Sequence, residues 1–418
     1  MLLQPFRVRC ARRLRAGALA LGAGVLFGVG GCGGGGAGSH SSPTPNEPDF
    51  VPTTQAVTVT AVVSGLSYPW GLAFLPDQRM LVTGRMGQLW LIGANGSSVQ
   101  TVSGLPAVTA TGGQGGLLDV VLDPAFATNR RVYFSYAEAD LTQPARNGTA
   151  VARAELDLDQ RQLLGLTVLY RQSPKVQSNG HFGSRLVFGA DGHLFVTLGD
   201  RQNADQMVLA QDLGQGHGKV VRITTHGGAA PGNPFAATPG AQPEIWSYGH
   251  RNPQGAALHP TTGELWTNEH GPQGGDEVNR TLAGRNHGWP VISHGQYYGT
   301  TQPVGEGTAK PGMEPPVSVW EMADGSTWVS GAKSSTAPSG MAFFTGSTPA
   351  HWPGSLFVGA LAGRALWRLQ LHGHQVVGRE RLLTALGERI RDVRMGPDGH
   401  LWLLTDGSNG RLLRVSVP

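Results

Sequence analysis

Apolar and polar positions alternate with a period of two in short runs, and each run ends in a Pro, Asp or Gly turn. "LAFLPDQRMLVTG" (72–84), "VVLDPAFATNRRVYFSY" (120–136), "LVFGADGHLFVTLGD" (186–200), "AALHPTTGELWTNE" (256–269) and "VRMGPDGHLWLLTD" (393–406) share this form. A looser copy is "MAFFTGSTPAHWPGSLFVGAL" (341–361). Proline presets φ and Asp-Gly supplies the tight reversal, so each stretch predicts a hairpin. A further strand follows most copies, as at Gln88–Ile92, 218–223 and 365–369. No stretch of the repeating region carries a long 3.6-residue apolar period.

Six copies of a multi-strand antiparallel unit predict an all-β fold, a six-bladed β-propeller with four-stranded blades. One blade leaves both faces bare, whereas a ring covers them. The strand at 411–415 is expected to close the ring against a strand near 57–63. A β-sandwich also yields short strands with turn signals, but the repeat at long spacing favours the ring. Long inserts at 224–243 and 288–339 are of a length usually reserved for function.

Composition supports this reading: of 418 residues, 63 are Gly and 28 Pro, and only 14% are charged. The positive net charge is misleading. Five of the 32 basic residues, and none of the 28 acidic ones, fall in residues 1–31. Without that segment the chain holds one acid more than bases, which excludes a basic nucleic-acid surface. Arg7 to Arg15 form a positive n-region and 16–29 a short, glycine-broken apolar region, which predicts a secretory signal. It ends in Val29-Gly30-Gly31-Cys32, similar to a bacterial lipobox with Cys32 lipidated. The expected organisation is a signal at 1–31, a Gly/Ser/Pro tether at 32–56 and a catalytic propeller at 57–418. Location would be periplasmic, with the membrane reached only through the lipid and the protein a monomer. The cysteines, Cys10 and Cys32, leave no disulfide for the folded body.

Five stretches place polar residues at strand ends. Gly113-Gln114-Gly115-Gly116 gives either close backbone approach to a ligand at Gln114 or a plain glycine turn. His181, flanked by Gly180 and Gly183, is either a general base with room for a ligand or a hydrogen-bonded structural histidine. Arg251 and Asn252 precede Pro253, and Arg251 offers a planar fork for carboxylates or simply a turn. "NEHGPQGGDEVNR" (268–280) supplies hard oxygen donors of the kind Ca²⁺ takes, without EF-hand order. It offers no three-ligand zinc set. In "ERIRDVRMGPDG", Arg389 and Arg391 share one strand face and Asp392 the other. Two cations on one face call for an anionic ligand unless that face is an exposed edge. Nucleotide-binding glycine loops, a GxSxG elbow and HExxH are all absent.

In order, "GQGGLLDVVLDPAF", "GHFGSRLVFGADGHLFVTLGDR", "YGHRNPQG", "EHGPQGGDEVN", "GRNHGWP" and "ERIRDVRMGPDGHLWLLTD" resemble the quinoprotein glucose/sorbosone dehydrogenase family, in its periplasmic aldose sugar dehydrogenase branch. The resemblance implies pyrroloquinoline quinone (PQQ) and Ca²⁺ as cofactors and oxidation of aldoses at C1 to lactones. It implies His181 as base, with Gln114, Arg251, Asn252, Arg389 and Arg391 on the cofactor and Arg251 also catalytic. Asp200 falls at the sugar end of the pocket. The carbonyls of Gly271 and Pro272 fall on a catalytic calcium, and Glu277 with the His287 carbonyl on a structural one. Two departures stand out. Gly180 replaces an aspartate of glucose-preferring members, which points to a broad aldose range. Ala362 replaces a cofactor-touching lysine, with Arg364 two residues on as a substitute. The electron acceptor stays open. The rival functions are a calcium-dependent lactonase and a non-catalytic sugar- or protein-binding propeller.

Overall fold

In the computed structural model, residues 50–110 and 112–417 are described. They form six four-stranded antiparallel sheets. The first strands of the sheets are Pro69–Phe74, Leu117–Leu122, Leu186–Phe188, Pro253–Leu258, Pro338–Phe343 and Ile390–Met395. Each packs against the first strand of the next sheet, round to the beginning. This is the expected six-bladed propeller. Closure is also as expected: Thr58–Leu66 pairs antiparallel with Gly410–Ser416, Val59 opposite Val415. The sixth blade therefore joins the N-terminal strand to three C-terminal ones. No helix among the described residues is long and apolar enough to cross a membrane. The signal, the lipobox and Cys32 lie outside the described residues.

The core is distributed between neighbouring blades. Leu81, Leu89 and Leu91 of blade 1 meet Val132, Phe134 and Ala152 of blade 2. Tyr133 and Val151 of blade 2 meet Val196 and Val221 of blade 3. Both faces of a blade are thus covered, and strands that read as alternating are buried throughout, as in Leu194–Leu198. Their polar positions are used. Ser135 Oγ donates to the Ser184 carbonyl at 2.7 Å and Thr197 Oγ1 to the Pro253 carbonyl at 3.0 Å. Asn268 Nδ2 donates to the Ser339 carbonyl at 2.7 Å and Ser339 Oγ to that of Ile390 at 2.6 Å. A side chain of one blade thereby satisfies backbone near the innermost strand of the next, which removes the cost of burying either group alone.

An ion cluster of four side chains lies among the innermost strands. Arg185 Nη1 is 3.2 Å from Asp119 and 2.9 Å from Asp392. Arg394 is 2.7 Å from Asp119 and 3.0 Å from Asp392. The same carboxylates accept from the backbone N–H of Leu186 and Leu72. Asp392 does point away from Arg391, as the alternation predicts.

The last residues of the expected tether make contacts with the propeller. Thr53 N donates to Glu380 at 2.8 Å and Arg368 to the Val51 carbonyl at 2.8 Å, while Arg368 sits over the Phe50 ring. A buried guanidinium needs these acceptors, so residues 50–53 pack onto the fifth blade.

Candidate active site

The loop before the third blade holds His181 at φ 47°, a left-handed conformation that costs a non-glycine residue. Its neighbours make that possible. A Cβ on Gly199 would lie 2.1 Å from the His181 carbonyl oxygen, so only glycine lets the two segments meet. Arg201, buried 3.6 Å from the Phe182 ring centre, donates to Asn147 and to the Ser178 carbonyl, gripping the loop from below. Gln114 Oε1 accepts from the His181 N–H at 2.8 Å, bringing the glycine-rich loop before blade 2 onto it.

His181 Nδ1 lies 2.6 Å from Asp200 Oδ1. Asp200 is fully buried and its oxygens are taken: Oδ1 also accepts from Gln202 N, and Oδ2 from Trp289 Nε1 at 2.7 Å. Asp200, expected near the sugar end of the pocket, contacts the base. It stands behind the imidazole and fixes its tautomer, with the proton on Nδ1 and the lone pair on Nε2. Burial opposes ionisation of Asp200, but His181 and then Arg251 hold its carboxyl below the usual range. Burial, then the charge of Arg251, lower the His181 pKa below 6.5, and Asp200 opposes them.

Two cavities lie among the neighbours of this loop: Gln114 lines one, Arg251 the other, and His270 both. The larger, about 210 Å³, is lined by Gln114, Arg389 and Arg391, together with Trp70, Gln254 and Asp406. Arg391 is buried, donates to Gln254 Oε1 at 2.9 Å and lies 3.6 Å from Asp406. Its pKa is lowered to about 10, mainly by burial. Arg389, more exposed, meets the same carboxylate at 2.9 Å. Arg251 Nη1 donates to the His270 and Gly271 carbonyls, and Nη2 to the Tyr298 hydroxyl at 3.3 Å. Asn252 Oδ1 accepts from Gly183 N.

The smaller cavity gathers Arg251, Gly271, Pro272, Glu277 and His287, so all four residues read as metal-linked share one wall. Glu277 is pushed up to about 8, by burial first and by Glu269 second. Among the described residues no group of three or more His, Cys, Asp or Glu is arranged to hold a metal ion. The oxygen donors here are largely backbone. The Gly271 carbonyl accepts from Arg251 at 2.6 Å and that of Pro272 from Ser335 at 2.8 Å, each keeping a second lone pair.

Several atoms test whether an anionic cofactor fits. Nε of Arg251, Nε of Arg391 and Nδ2 of Asn252 are buried without a hydrogen-bond partner. Arg391 lines the larger, cationic cavity and Arg251 the smaller one, and such orphaned donors are what a polycarboxylate would satisfy. Arg364 does not take the role suggested for it: it is exposed, does not line the cavity and donates to the Gly387 carbonyl.

The family model of the glucose/sorbosone dehydrogenases matches residues 66–414. The chain belongs to this family. It is 44% identical over 364 residues to the aldose sugar dehydrogenase YliI of Escherichia coli K12, covering 86% of this chain and 93% of that protein. The apo crystal structure of the soluble E. coli aldose sugar dehydrogenase superposes with TM-score 0.80 at 42% identity, over 87% of this chain and 100% of that one. The PQQ-bound aldose sugar dehydrogenase of Streptomyces coelicolor superposes with TM-score 0.71 at 29% identity, over 87% and 99%. As a glucose/sorbosone dehydrogenase the chain is an oxidoreductase. The residues of this family member that sequence reading passed over share a location. Arg85 and Asp406 directly follow second strands, as Asp200 nearly does and as Glu269 ends one. That repeated position was a usable signal. Trp289 lies in the long insert, within the quoted "GRNHGWP", where nothing local ties it to Asp200.

Proposed function

We propose that this dehydrogenase oxidises the C1 hydroxyl of aldoses to lactones with PQQ and Ca²⁺. The observation that carries the reading is the imidazole of His181, held neutral on a fixed carboxylate and near Arg251, whose Nε is buried without a partner. Relatives whose names record aldose oxidation and bound PQQ support it. Arg389, Arg391, Gln114, Arg251 and Asn252 would hold PQQ. The carbonyls of Gly271 and Pro272 would hold the catalytic calcium, and Glu277 with the His287 carbonyl a structural one. When bound, the quinone is the two-electron acceptor and the calcium a Lewis acid on its carbonyl.

Oxidation at C1 removes a hydride and the hydroxyl proton. The proton goes to a side chain of the protein. Nε2 of His181 accepts it, and Asp200 stabilises the imidazolium so formed. Trp289 keeps Asp200 from rotating. Arg251 places positive charge where negative charge develops on the acceptor. Gly180 leaves the space beside the base without a charged side chain, which supports a broad aldose range. The N-terminal pattern supports export and a lipid anchor on Cys32.

The test is reconstitution with PQQ and Ca²⁺, an aldose and a reducible dye. Dye reduction that needs all three is expected. Lactone hydrolysis without dye reduction, or sugar binding without either, would overturn the proposal.

The base must be neutral to act, and its pKa lies below 6.5. Activity should therefore persist on the acid side of 6.5 and fall only as pH drops through that lowered value. Asp200→Asn removes the charge that raises this pKa, so the acid limb of the kcat/KM profile should move further down. A limb that moves up would contradict the assignment.

A further inference from the structure

Arg85 has no place in the assignments above, yet it lines the larger cavity with Arg389 and Arg391. Three guanidinium groups there face one carboxylate among the lining residues, Asp406. Arg389 and Arg391 both approach that carboxylate. Arg85 makes no ion pair among the described residues. Its guanidinium lies 4.8 Å from the Tyr68 ring centre, and its Nη1 donates to the Gly113 carbonyl. Its electrostatic influence reaches both Asp406 and Arg391.

The backbone around it is fixed. Arg85 N donates to the Tyr68 carbonyl at 2.9 Å, and the Arg85 carbonyl accepts from Leu117 N at 3.2 Å. A Cβ on Gly116 would lie 1.8 Å from that carbonyl oxygen, so the loop bearing Gln114 is folded directly onto Arg85. A long cationic side chain is normally costly to order. Here the aromatic face and the Gly113 carbonyl have already ordered it, with its charge left over.

We infer that Arg85 is a further cofactor-binding arginine beside Arg251, Arg389 and Arg391, supplied by the first blade to the cavity that the sixth-blade pair also lines. It would donate a charge-assisted hydrogen bond to a carboxylate of the bound ligand. This rests on the PQQ reading and adds a residue to it. A charge-assisted hydrogen bond of this kind is worth at least about tenfold in affinity.

The experiment is titration of PQQ into the apoprotein, followed by fluorescence quenching, for the parent, Arg85→Gln and Arg85→Lys. Glutamine keeps a donor for the Gly113 carbonyl and drops the charge. Arg85→Gln should raise the Kd at least about tenfold at low salt, and the gap should narrow as salt rises. Arg85→Lys should recover part of the loss. With the trimethyl ester of PQQ, parent and Arg85→Gln should bind alike. The inference is overturned if Arg85→Gln binds PQQ within about twofold of the parent, or if glutamine and lysine lose equally. A parent that binds no PQQ overturns the cofactor reading itself.

Discussion

Replacing His181 with alanine is expected to lower kcat by ~10²–10⁴-fold, the usual contribution of a positioned general base. The imidazole hydrogen-bonds Asp200 and is not among the residues lining the larger cavity. PQQ affinity should therefore stay within a few-fold of the parent, and the loss should fall on kcat rather than on cofactor binding. Stopped-flow reduction of the loaded enzyme by an aldose measures this directly. Asp200→Asn should lose less, because the imidazole stays and only its orientation and charge partner suffer. Full activity in the alanine variant would remove His181 from the chemistry. A matching loss of PQQ binding would recast it as a cofactor contact.

The largest stability effect is expected at the ion cluster among the innermost strands. Asp119→Ala would leave Arg185 and Arg394 sharing Asp392, and would strand the Leu186 N–H that Asp119 now accepts. Breaking a buried pair from one side costs about 3–5 kcal/mol. The midpoint of urea unfolding should fall accordingly. The exposed pair Asp77–Arg79 is the control, since Asp77→Ala should cost under about 1 kcal/mol. A cluster variant as mild as the control would mean that water reaches those side chains and screens them.

The turn chemistry made the blades legible, because Asp-Gly and Pro recur where each chain reversal needs them. The pairing of the first strand with the last was legible for the same reason. Burial was not. Thr197 and Ser135 sit at positions that period-two reasoning gives to solvent, and only the presence of the next blade makes them internal bonds. Within the site, Arg391, Gln114, Gly271 and Glu277 lay in glycine-rich or charged stretches, whereas His287 came only from the family resemblance. Arg85 sits in "LVTGRMGQL", where one arginine beside a turn looks like any other surface charge. Asp200 was legible in sequence as a site residue, but its contact with the base was not. Its role depends on Trp289, eighty-nine positions away, which no local pattern connects to it.

The seam between Thr58–Leu66 and Gly410–Ser416 also governs when the molecule can finish folding. A ribosome delivers the first of these segments long before the second, so the nascent chain spends most of its synthesis as an open arc with two bare hydrogen-bonding edges, each a template for a stray neighbour. An early stop codon or a protease clip that removes the final segment would yield an arc that never shuts, rather than a slightly shorter enzyme.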